Sequence, residues 1–85
     1  GNTDAVIEFE ITGDEGGYFS LYLRGGEVFG EEARESEPDL RVRVDLASWR
    51  QLNSGELSAP EAFLTRRVEL RGNFRLAAKL HFILG

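Results

Sequence analysis

Hydrophobic and polar positions alternate with period two in the first half of the chain and shift towards helical spacing in the second. Val6-Ile7-Glu8-Phe9-Glu10-Ile11 reads as a half-buried strand, with Ile7, Phe9 and Ile11 facing inward and Glu8 and Glu10 outward. Gly13-Asp14-Glu15-Gly16-Gly17 is a turn. Tyr18-Phe19-Ser20-Leu21-Tyr22-Leu23 is a second strand with Phe19, Leu21 and Leu23 on its inner side. Tyr18 and Tyr22, apolar rings with a polar tip, give its other face a partly covered character. Gly25-Gly26 suits a two-residue hairpin, because both central positions of a type I′ turn need positive φ. Residues 27–31 follow as a short third strand, and residues 32–39 as an acidic loop holding Pro38, expected to be solvated.

Leu40-Arg41-Val42-Arg43-Val44-Asp45 alternates again, with both arginines outward. Opposite charges on adjacent strands attract, so Glu8 and Glu10 on one side and Arg41 and Arg43 on the other predict that the first and fourth strands are neighbours. Val68-Glu69-Leu70-Arg71 is a fifth strand, placing Glu69 where it can face an arginine of the fourth.

The spacing between those two strands is helical. Leu46, Trp49 and Leu52 recur three apart after a cap at or near Asp45, and Gly55 is the expected stop. Ser58-Ala59-Pro60-Glu61 is a capping box with proline in the first turn, leading into Ala62, Phe63 and Leu64. After a cap at Asn73, residues 74–84 form a last helix in which Arg75 and Lys79 share one narrow polar sector. The order predicts one α+β domain over residues 1–85, a five-stranded, mostly antiparallel sheet with about three helices packed on one face.

Composition narrows the class of function. A chain of 85 residues, 41% hydrophobic and 29% charged, is a single globular domain that buries only about 60–65% of its unfolded surface. It has no cysteine, which removes disulfides and thiolate chemistry and, with no signal peptide visible at Gly1-Asn2-Thr3-Asp4, leads us to expect a cytoplasmic, reducing location. Net charge is −5, unevenly spread: residues 1–40 hold 11 acids and 2 bases, residues 41–85 hold 4 acids and 8 bases. The total argues against nucleic acid as a partner. The basic half can attract the acidic half within the fold, or make transient contact with an anionic membrane surface.

Catalytic chemistry finds no foothold. No Gly-x-Ser-x-Gly elbow is present, His81 has no second histidine at a ligand spacing, and the acids from Glu31 to Asp39 do not follow an EF-hand pattern. Gly25-Gly26 lacks the Lys-Ser/Thr of a phosphate loop. No catalytic residue, metal site or cofactor is expected, and the chain is read as a non-enzyme. His81 lies in the apolar arc of the last helix, either bonded to a local carbonyl, or at a frayed helix end, or serving as a polar handle for a ligand head group.

From Pro38 onward the segments keep a recognisable order. Pro38-Asp39 with its alternating strand, Trp49 and Leu52 leading to Asn53-Ser54-Gly55-Glu56-Leu57, Glu61-Ala62-Phe63-Leu64, and Val68-Glu69-Leu70-Arg71-Gly72-Asn73 before Leu76-Ala77-Ala78-Lys79-Leu80 together resemble the sterol carrier protein type 2 family. With the preceding hairpin, the resemblance covers residues 5–84 and lacks most of the usual N-terminal helical region. It implies a non-catalytic carrier of a sterol, fatty acyl chain or phospholipid, with transfer of that lipid between membranes. Carried over by position, the wall of its apolar tunnel comprises Leu57, Phe63, Leu64, Phe74, Ala77, Ala78, Leu80 and His81. Where the family has glycine after its alanine-phenylalanine helix, this chain has Arg66, so a different local turn is expected.

A dry, empty tunnel is too costly for so short a chain. About 300 Å³ of apolar cavity at about 24 cal/mol per Å³ amounts to roughly 7 kcal/mol, the scale of a whole domain's stability. A ligand fills the space, a partner fills it, or it collapses to a groove. The partners expected are therefore a lipid or acyl-chain ligand or, alternatively, a second copy or a fused domain docked on an open apolar face.

Overall fold

The structure, a computed structural model, describes residues 4–78. Its elements are β1 (Ala5–Thr12), β2 (Gly17–Arg24), β3 (Glu27–Glu31), β4 (Leu40–Asp45), α1 (Leu46–Ser54), α2 (Ala59–Leu64) and β5 (Val68–Gly72). Residues 74–78 begin a third helix. The remainder expected for that helix, with Leu80 and His81, lies outside the described residues.

The five strands form one sheet in the order β3-β2-β1-β4-β5. β1–β2, β2–β3 and β4–β5 pair antiparallel, whereas β1–β4 is parallel. The charge argument for β1 beside β4 holds in register: Glu8 lies opposite Arg41 and Glu10 opposite Arg43. Arg43 also faces Glu69 on its other side, with nitrogen–oxygen distances of 3.5 Å to Glu10 and 4.0 Å to Glu69.

The inner face of the sheet is the core. Ala5, Ile7, Phe9, Leu21, Leu23, Leu40 and Val42 are buried there with Leu76 from the third helix, and Trp49 of α1 packs across Phe9 and Phe19 at ring distances of 5.0 and 5.8 Å. Both helix starts follow the sequence. The Asp45 carboxylate accepts from the Ser48 N–H (3.0 Å) and hydroxyl (2.6 Å), bonds that hold its carboxyl below the usual carboxylate range. The Ser58 hydroxyl accepts from the Glu61 N–H at 3.2 Å. Gly25 and Gly26 have φ of +58° and +83°, as the hairpin requires. Gly72, at φ +112°, runs so close to β4 that a Cβ would sit 2.4 Å from the Asp39 carbonyl oxygen. In return, the Asn73 N–H reaches that carbonyl at 2.8 Å, which fixes the turn into the third helix.

Two expectations need correcting. Glu8 does point to the outer face, but it is fully buried rather than solvated. The cause is the acidic loop, which lies across the sheet as a strap. The Glu8 carboxylate accepts from Arg41 Nε at 2.8 Å and from the Glu35 N–H, Arg41 also donates to the Glu35 carbonyl at 3.2 Å, and the Ser20 hydroxyl donates to the Ala33 carbonyl at 2.8 Å. The Tyr22 hydroxyl donates to the Glu35 carboxylate. These bonds give the buried carboxylate donors in place of water, which makes its burial tolerable.

The second correction concerns Arg66. It takes a left-handed conformation, φ +61°, the one non-glycine residue among those described to do so. The Arg66 N–H donates to the Phe63 carbonyl (3.1 Å) and the Arg67 N–H to the Ala62 carbonyl (2.8 Å), which is the Schellman ending of a helix. The turn that glycine favours is thus built here with arginine.

Candidate functional site: a groove along the free edge of the sheet

The helix α2 buries Ala62 completely and leaves Phe63 and Leu64 54% and 77% exposed. Successive helical residues step by about 100°, so when Ala62 faces the protein its two apolar successors turn outward. The chain then reverses through Arg66 and returns as β5, whose far edge pairs with no further strand among the described residues. Between the end of α2 and this edge lies an open groove of about 600 Å³, lined by Phe63, Leu64, Arg66, Val68, Glu69, Leu70 and Arg71. Val68 and Leu70 belong to the inner face and are half-buried. Glu69 and Arg71 are exposed and lie opposite Arg43 and Arg41.

Of the residues expected in a tunnel wall, Phe63 and Leu64 come together in this groove. Leu57 is buried in the link between α1 and α2, its N–H donating to the Gln51 carbonyl at 3.1 Å. Ala77 is half-buried against the core, whereas Phe74 and Ala78 are exposed on the first turn of the third helix, outside the groove lining. Sequence reasoning did not single out Val68, Leu70, Arg66 and Arg71, which also line this candidate groove. The signal for the first two was present, because they are the inner-face positions of the strand that directly follows α2.

The back of the groove is tied to the rest of the domain by Arg67. Its Nε donates to the Ser48 hydroxyl at 3.0 Å and its Nη2 to the Gln51 side chain, which links the α2–β5 turn to α1. Among the described residues, no group of three or more acidic or histidine side chains is placed to hold a metal ion. Nor is any described helix long and apolar enough to cross a membrane.

The family profile described as "SCP-2 sterol transfer family" matches residues 2–85. The chain belongs to this family. As an SCP-2 domain it shares its fold with sterol carrier protein 2 like 2 from Aedes aegypti, whose crystal structure superposes with a TM-score of 0.78 at 24% identity, covering 99% of this chain and 77% of that one. Apo sterol carrier protein 2 from Yarrowia lipolytica superposes with a TM-score of 0.70 at 25% identity, over 94% of this chain and 66% of that one. A solution structure of palmitated SCP2L2 from Aedes aegypti gives a TM-score of 0.77 at 22% identity, over 96% and 73%. Among curated proteins, hydroxysteroid dehydrogenase-like protein 2 of Mus musculus is 31% identical and that of Bos taurus 29%, each over 96% of this chain. The chain spans only 17% of the mouse protein's length and 20% of the bovine one's.

Proposed function

We propose that this SCP-2 domain binds one lipid-like ligand, a sterol, fatty acyl chain or phospholipid, in the groove between α2 and β5, and that it carries this ligand between membranes without chemical change. The observation that carries the reading is the groove itself. Phe63, Leu64, Val68 and Leu70 present apolar surface around about 600 Å³ of open space, within the range of about 300–1,000 Å³ usual for small-molecule sites. Large exposed side chains such as Phe63 and Leu64 expose apolar area to water at about 25 cal/mol per Å², so a hydrophobic ligand lying on them is favoured. In this reading Leu57 and Ala77, which do not line the groove, remain wall candidates only by resemblance to the family. By resemblance to the family, Phe74, Ala78, Leu80 and His81 are further candidates for the wall. A cysteine-free carrier of this kind suits a reducing compartment such as the cytoplasm.

Leu64→Glu tests the site without threatening the core, because Leu64 is 77% exposed. The variant keeps the wild-type melting temperature and loses affinity for a fluorescent fatty acid by at least about tenfold, since a carboxylate now stands on the apolar wall. Unchanged affinity with an intact fold removes the groove from consideration.

A second reading, docking of a fused domain or another copy, is favoured by the edge strand β3, where Val28 and Phe29 are 40% and 51% exposed on opposite faces. Light scattering over a hundredfold concentration range discriminates it: a dimer that Phe29→Glu disperses supports docking at β3, and a monomer throughout removes self-association.

A further inference from the structure

Charges on the outer face of the sheet run in rows across its strands, and the rows stop at β5. One row passes from Glu8 to Arg41 to Arg71, the next from Glu10 to Arg43 to Glu69. The first ends on two like charges side by side: Arg41 is engaged by Glu8 at 2.8 Å, whereas Arg71 is in no ion pair among the described residues. The second ends on Glu69, which reaches Arg43 only at 4.0 Å. The rows thus finish in opposite signs on the same exposed strand. Beyond it β5 pairs with no further strand among the described residues, so its outer edge offers backbone donors and acceptors to a partner. β5 has no proline and no charge on its inner face, two of the devices by which edge strands are blunted.

Such an edge can pair with a copy of itself. Two identical strands that meet antiparallel about a two-fold axis keep inner face beside inner face, so opposed residues lie an even number of positions apart. Three such registers overlap more than half of β5. Centred on Glu69, the pairing sets Glu69 against Glu69; centred on Arg71, it sets Arg71 against Arg71. Centred on Leu70, it sets Glu69 against Arg71 twice, Leu70 against Leu70, and Val68 against Gly72. Only this last register joins the open charge of each row to an opposite charge. The other edge strand, β3, carries acids alone, Glu27 and Glu31, so no pairing of β3 with itself does the same.

We infer that this chain forms a two-fold dimer by antiparallel pairing of β5 with β5 of a second copy, centred on Leu70, so that two five-stranded sheets become one. The exposed apolar side chains agree. Of the large hydrophobic residues exposed among those described, Phe63 and Leu64 come just before β5 and Phe74 just after it. The two-fold axis brings the end of α2 in one copy beside the start of the third helix in the other. Phe63 and Leu64 there lie next to Phe74 of the second copy, adding apolar area that strand pairing alone lacks. The inference goes beyond the carrier reading, needs no ligand, and places self-association at the edge opposite β3. A two-fold pair uses up both β5 edges and closes, whereas a β5-to-β3 contact would continue as a chain of copies.

The test is sedimentation velocity from about 1 μM to about 1 mM, with charge reversals at the exposed positions Glu69 and Arg71. Wild type passes from monomer to dimer and no further. Glu69→Arg sets arginine against arginine across the axis and Arg71→Glu sets glutamate against glutamate, so each weakens the dimer by about tenfold or more. Mixed in equal amounts, the two single variants recover a heterodimer, because every cross-axis pair is then opposite in sign. The chain is net −5 and stays negative in both, so bulk charge attraction cannot join them. A chain carrying Glu69→Arg and Arg71→Glu together dimerises by itself. A folding defect at either position would not be repaired by mixing. A wild-type monomer throughout, a dimer that neither reversal weakens, a mixture that stays monomeric, or growth beyond the dimer each overturns the pairing through β5, and each leaves the carrier reading in place.

Discussion

Arg66 and Glu8 show how a single residue departs from what its neighbours imply. Arg66 completes a Schellman ending that glycine would complete with less strain, and holding a non-glycine residue there costs on the order of 1 kcal/mol. Arg66→Gly is therefore expected to stabilise the domain by up to about 1 kcal/mol, less the extra chain entropy of glycine in the unfolded state. Thermal denaturation checks the sign, and a lower melting temperature would mean that the arginine side chain makes stabilising contacts that outweigh the strain. The substitution of arginine for glycine was legible in the sequence; the retention of the left-handed turn was not, because several backbone bonds around the turn outvote one unfavourable residue. Glu8 illustrates the opposite gap. Its alternation with Phe9 fixed its face, and nothing local could say that Glu35, 27 positions away, would cover it.

Among the elements, the strap over the outer face is the one the sequence hid. Residues 32–39 have the composition of a solvated loop, and most of their acids are exposed. The strap is held by a few specific bonds rather than by an apolar stripe, and such bonds leave no periodic trace. Tyr22 reports on it. The hydrogen bond to the Glu35 carboxylate, aided by partial burial, raises the phenol from an ordinary value of 10.0 to about 12. Because the folded value lies above the unfolded one, this contribution to stability is fully present below pH 10 and is lost as pH rises through about 12. Glu35→Gln should bring the Tyr22 titration back towards pH 10, followed by phenolate absorbance near 295 nm; an unmoved titration would mean that Glu35 does not hold the hydroxyl in solution. The helices were more legible. Asp45, Ser58 and Gly55 lie within a few residues of what they cap, so their roles are written locally. Which side of α2 is buried was not, since the run Ala62-Phe63-Leu64 is apolar throughout.

For the molecule as a whole, the proposed binding of a ligand in the groove would couple to stability. A domain of this size has a small stability margin, and a ligand that binds only the folded state at about 100 times its dissociation constant adds about 2.7 kcal/mol. For a domain of 60–100 residues each kcal/mol moves the melting temperature by roughly 4–8 °C. Saturating fatty acid should thus raise the melting temperature of this chain by on the order of 10 °C, read by calorimetry at constant protein concentration, and should do so weakly or not at all for Leu64→Glu. No shift with the wild-type chain at saturation would contradict binding to the native state.

The sequence alone determined the identity, order and inner faces of the strands, the caps of the helices, and the family to which the chain belongs. It could do so because these properties are set by side chains within a few positions of one another, by period two, by helical spacing and by glycine at particular turns. The tertiary structure decided that β1 and β4 run parallel, that Glu8 is buried beneath a strap, and that Phe63 and Leu64 flank an open edge together with Arg66 and Arg71. Alternation reads the same in either strand direction, and exposure depends on segments far away in the chain, so neither outcome is encoded where the residues themselves stand.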